Sequence, residues 1–64
     1  MRVMSWDADS IKQLRLRKRL YQREFADLFG VSEQTIREWE SGRQVPDLKN
    51  QEKLDEVGRS LIAE

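Results

Sequence analysis

Neither cysteine nor histidine occurs in the 64 residues. Their absence removes disulfides, thiolate zinc sites, imidazole bases and the commonest metal ligand together. No metal and no cofactor are therefore expected. No run of about 20 apolar residues is present, the length needed to span a bilayer, and the opening MRVMSWDAD lacks the apolar core of a secretory leader. A cytoplasmic location without a membrane partner is the expectation. Proline is limited to Pro46 and glycine to Gly30, Gly42 and Gly58, so few residues interrupt helices. A chain this short buries only about 60% of the surface its unfolded form exposes. A large enclosed active site is excluded on that ground, and no small-molecule ligand is expected. Carboxylates without a cleft, a metal set or a nucleophile make a weak catalytic site, so the chain does not read as an enzyme.

Acidic and basic residues balance at 12 each, for a net charge of zero. Their placement is uneven. Residues 1 to 30 hold seven Lys or Arg against four acids, a balance of +3, and residues 31 to 64 hold five against eight, a balance of −3. The densest positive run is Arg15, Arg17, Lys18 and Arg19. It reads either as a solvated helix face or as a contact surface for anions.

Helix-forming residues dominate, and residues 1 to 64 read as one all-α domain of four to five helices. Ser5 or Asp7 can cap a first helix whose Ile11, Leu14 and Arg15 fall on one face. Leu20 and Tyr21 carry a short turn. A second helix over 22–29 buries Phe25, Ala26 and Phe29 along one stripe, and Gly30 ends it. Ser32 then caps a third helix over 33–40, with Gly42 past its end. Pro46 and Asp47 suit the first positions of a fourth helix carrying Leu48, Leu54 and Val57. Gly58 is expected to break it, leaving 59–64 as a last turn with Leu61 and Ile62; one bent helix through Gly58 is the competing reading, at a cost of about 1 kcal/mol relative to Ala.

Two short helices joined by a glycine-containing turn make a helix-turn-helix, here over residues 22 to 41. Ala26 is small where the helices cross, Gly30 turns the chain, and Phe25, Phe29, Val31, Ile36 and Trp39 supply the apolar wedge. The run QREFADLFGVSEQTIREWESGRQVPDL, Gln22 to Leu48, resembles the lambda-repressor/Cro (XRE) family of DNA-binding domains. The match extends back through IKQLR from Ile11 and forward to KLDEVG, Lys53 to Gly58. Two positions depart from the family pattern. Tyr21 stands where a Ser or Thr cap is usual, which would let the second helix fray, and Asp55 stands where Ala is usual, which bears on the packing of the last helix.

At 100° per residue, with Ile36 facing the core, Ser32, Trp39 and Glu40 lie within about 60° of it. Glu40 therefore points inward or towards the rim of the core, and it needs a partner. Arg15 occupies the core-facing row of the first helix, and the resemblance implies the same pairing of arginine with glutamate. Gln34 and Glu38 fall nearly opposite Ile36, flanked by Thr35 and Arg37. Glutamine can read adenine and glutamate can accept from cytosine N4. Glu33 sits at the helix start, where the dipole favours its charge and Arg37 is its i+4 neighbour. Trp39 reads as a partly exposed lid on the core, and Trp6 as packing on the first helix or on another subunit.

The candidate base-reading set is thus Ser32, Glu33, Gln34, Thr35, Arg37 and Glu38. The candidate phosphate-binding set is Gln22, Arg23, Arg43 and Gln44, with Arg17 and Arg19 at the periphery; the resemblance supports Gln22, Ser32, Gln34, Arg43 and Gln44 most directly. Acids in the groove would weaken binding to arbitrary sequence, since nonspecific affinity comes from neutralising phosphates. The function implied is a sequence-specific regulator of transcription, expected to act as a repressor on a palindromic operator and to be nucleoid-associated when bound. A homodimer through Val57, Leu61 and Ile62 is expected. The alternative is an antitoxin-like regulator that also neutralises a partner protein.

Overall fold

In the computed structural model, which describes residues 6–59, the chain begins its first helix on a reciprocal cap. Asp7 Oδ1 accepts the Ser10 amide at 2.8 Å, and Ser10 Oγ accepts the Asp7 amide at 3.0 Å. Two otherwise orphaned donors are satisfied at once. The hydrogen bonds from Ser10, backbone first and hydroxyl second, hold the Asp7 carboxyl below its ordinary range. Helix α1 (Ala8–Arg17) follows and turns Ile11, Leu14 and Arg15 inward. It ends in a turn where Arg19 has a φ of 59°, left-handed space that a side chain enters only at a cost.

Helix α2 (Gln22–Phe29) starts at Tyr21, whose ring caps nothing. Glu24 supplies the missing half: its Oε1 accepts the Tyr21 amide at 2.9 Å, which ties down the start that a Ser or Thr would otherwise have secured. Gly30, at φ 67°, closes α2 and lets Val31 N donate back to Ala26 O at 3.1 Å. Helix α3 (Glu33–Ser41) is capped by Ser32 Oγ, which accepts the Thr35 amide at 3.2 Å, and ends at Gly42 with φ 84°.

Helix α4 (Leu48–Arg59) departs from expectation at both ends. Pro46 and Asp47 precede it. Pro46 is buried, and Asp47 is the cap, its Oδ1 accepting the Asn50 amide at 3.0 Å. At the other end Gly58 does not break the helix. Its φ is not positive, and α4 runs on to Arg59. Trp6, expected on the first helix or on another subunit, packs against the core that α1 contributes to and also reaches α4. Trp6 Cη2 lies 3.6 Å from where a Gly58 Cβ would stand, and Trp6 Nε1 donates to Asp55 Oδ1 at 2.8 Å. Asp55, at a position where the resembling family usually has Ala, thus fastens Trp6 to α4.

The core is Ile11, Leu14, Phe25, Ala26, Ile36, Trp39 and Leu54, with Trp6, Leu20, Phe29, Val31 and Val57 packed around it. Trp39 is not a partly exposed lid. It is 2% exposed, with Phe29 edge-on to its ring at 5.5 Å, and Phe29 in turn lies 4.9 Å from Phe25. Helices α1 and α2 pack against α3, and its Ile36 and Trp39 share one buried cluster with their apolar residues and with Leu54 of α4. The opposite side of α3 is left outward. All described helices are α-helical and no strand occurs among the described residues.

Candidate nucleic-acid interface

Behind α3, Arg15 and Glu40 meet in a forked pair. Arg15 Nε donates to Glu40 Oε2 at 2.7 Å and Nη2 to Oε1 at 3.0 Å. The third arm, Nη1, donates to Leu20 O at 2.9 Å, and Gln22 Nε2 adds a bond to Glu40 Oε1 at 3.2 Å. The two charged side chains are only 11% and 5% exposed. Burial of this kind is tolerable because every oxygen and nitrogen is used. The cluster joins α1, the α1–α2 turn, α2 and α3, and so fixes the pitch of α3 on the body.

On the outward side the polar residues bond to one another. Arg37 donates to Glu33 Oε2 at 3.2 Å and to Gln34 Oε1 at 3.3 Å. Gln34 Nε2 donates to Glu38 Oε2 at 3.3 Å, and Gln44 Nε2 donates to Glu38 Oε1 at 3.0 Å. A chain of contacts therefore runs from Glu33 at the start of α3 to Gln44 beyond its end. Glu38 is half-buried under Gln44, whereas Gln34 and Arg37 are exposed. Ser32 and Thr35 are engaged with each other at the helix start, their hydroxyl oxygens 3.0 Å apart.

An open groove of about 550 Å³ lies along this side. It brings together Gln22, Gln34, Arg37, Glu38 and Arg43 from the candidate sets, and adds Ser41 and Lys12. Lys12 stands apart from the basic run of Arg15 to Arg19 that dominates the sequence. The signal was available: Lys12 precedes Arg15 by three residues and so shares its side of α1. Arg17, Arg19 and Arg23 are exposed but do not line the groove. Gln44 lines a separate apolar cleft with Trp6, Trp39 and Pro46. Val57 packs partly against the core, and Leu61 and Ile62 lie outside the described residues, as does Ser5.

Two short helices held at a glycine turn, with the second offering polar side chains outward, is the geometry that a helix-turn-helix model would match. Such a family model, HTH_3, matches residues 11–59. The chain belongs to the lambda-repressor/Cro-like helix-turn-helix family. Neither a curated protein nor a solved structure matches it. Membership of the HTH_3 family supports a DNA-binding regulator of transcription. In helix-turn-helix proteins generally, the second helix of the pair is the one that enters the major groove. No described helix is long and apolar enough to cross a membrane.

Proposed function

We propose that this protein binds one duplex DNA sequence, as a homodimer on a palindromic operator, and represses by occupying promoter DNA. The observation that carries this reading is the outward side of α3, where Gln34, Arg37 and Glu38 are presented together above a body fixed by the Arg15–Glu40 pair. These side chains offer donors and acceptors suited to base edges. Basic groups flank them without dominating, with Arg43 and Lys12 along the groove and Arg23, Arg17 and Arg19 further out as holders of phosphate. Ser32, Glu33 and Thr35 lie at the helix start, the part of a recognition helix that reaches bases.

The proposed dimer forms through the end of α4 and the residues after it, with Val57, Leu61 and Ile62 as its apolar contacts. A two-fold arrangement places the two copies of α3 in successive major grooves, about 34 to 36 Å apart. Selection of bound sequences from random duplex DNA tests the proposal. The expected outcome is a single preferred palindrome whose half-sites lie one helical turn apart; recovery of unrelated sequences contradicts it.

A further inference from the structure

Gln44 lies two residues beyond the end-turn of α3, where a phosphate contact is the obvious role. The backbone brings it elsewhere. Gly42 folds the chain back at φ 84°, and the amides of Arg43 and Gln44 both donate to Glu38 O, at 2.9 and 3.2 Å. The same fold-back delivers the Gln44 side chain to the Glu38 carboxylate, 3.0 Å from Oε1, while Gln34 holds the other oxygen. One acid therefore grips two carboxamides, one from the outward face of α3 and one from the loop after it.

An ionised carboxylate only accepts hydrogen bonds, so it turns the nitrogen end of each amide towards itself. Each carbonyl end is thereby turned away from Glu38. After donating one N–H, a glutamine retains a second N–H and its carbonyl, the pair that meets adenine N7 and N6. The Gln34 carbonyl also accepts from Arg37. The Gln44 side chain is solvent-exposed; its side-chain hydrogen bond goes to Glu38, and it stands at the rim of the outward groove, between Glu38 and the apolar cleft of Trp6, Trp39 and Pro46.

We propose that Gln44 is a base-reading residue directed at adenine, and that Glu38 is a positioning residue that orients Gln44 and Gln34 in place of reading cytosine itself. This rests on the reading of the protein as a sequence-specific duplex binder. It makes Glu38, the groove acid not committed to Arg15, the clamp that sets the polarity of two neutral readers. Glutamate serves here where glutamine would not, because a glutamine at 38 has one oxygen and cannot hold two amide nitrogens in the same way.

The test uses the full chain and the duplex it selects, in competition against every single base-pair variant of that duplex. Gln44→Ala is expected to lose about tenfold discrimination at one A·T pair per half-site and to leave the other positions unchanged. Glu38→Ala should lose discrimination at that same pair and at the pair read through Gln34. Combining the two should add less than about twofold at the shared pair, the non-additivity of residues acting as one unit. Gln44→Glu guards against misfolding as an explanation, since a shifted base preference at that position requires a folded protein. The proposal is overturned if Gln44→Ala weakens every duplex by the same factor, as Arg43→Ala should, or if Glu38→Ala affects only a C·G pair that Gln44 variants leave untouched. A parent chain that treats all duplexes alike overturns the functional reading as well, whereas a selective parent with a uniform Gln44→Ala loss overturns this inference alone.

Discussion

Arg15 shows how much one side chain can decide. It spans three elements through Glu40, Leu20 O and, by way of Glu40, Gln22. Removing it strands a carboxylate that is 5% exposed with one amide for company. Arg15→Ala is therefore expected to destabilise the fold by about 3 kcal/mol, the cost of breaking a buried pair, whereas Arg17→Ala at an exposed position changes stability by less than about 0.5 kcal/mol. Thermal melts of the two variants check this, and coincident curves contradict it. Arg19 pays a different cost, in backbone conformation, for its φ of 59°. Arg19→Gly should raise stability by about 1 kcal/mol, or roughly 5 °C in a domain of this size. A lower melting temperature in that variant would show that contacts of the side chain outweigh the strain.

Among the elements, the helix boundaries legible in the sequence were those written in local chemistry. Gly30 and Gly42 carry positive φ, Ser32 offers its hydroxyl to the Thr35 amide, and a reader needs only a few neighbouring residues to see it. The course of α4 was not legible, because what packs beside Gly58 comes from the other end of the chain. Trp6 and Asp55 are 49 residues apart when they bond. A lone glycine, judged by propensity alone, looks like a stop. The same limit applies to Glu38 and Gln44, whose contact requires knowing that the chain folds back after Gly42. Helical period set Glu38 outward and could not show it half-covered. A Cβ at Gly58 would meet Trp6 Cη2 at 3.6 Å, an ordinary contact, so Gly58→Ala should stabilise α4 by up to about 1 kcal/mol. Chemical denaturation measures this, and a loss of stability would mean that the Trp6 packing tolerates no methyl group.

At the scale of the whole molecule, a neutral protein is proposed to bind a polyanion. The balance becomes workable because the acids are occupied. Glu40 is committed to Arg15, Glu33 to Arg37, and Glu38 to two amides, while Lys12 and Arg43 stand along the groove. Association of two copies would double the contacts without adding charge to the groove. On the proposed interface, Leu61→Glu combined with Ile62→Lys is expected to give a folded, helical monomer that binds one half-site weakly and loses cooperative binding to the palindrome. Sedimentation beside the parent decides it, since a parent that stays monomeric on its operator removes the interface.

The most direct measurement of the central claim is affinity for the selected operator and for a scrambled duplex of equal length, each followed across salt concentration. The operator should be preferred by about a thousandfold or more at physiological salt, with affinity for both duplexes falling linearly on logarithmic axes as salt displaces phosphate contacts. Equal affinity for the two duplexes at every salt concentration would contradict it.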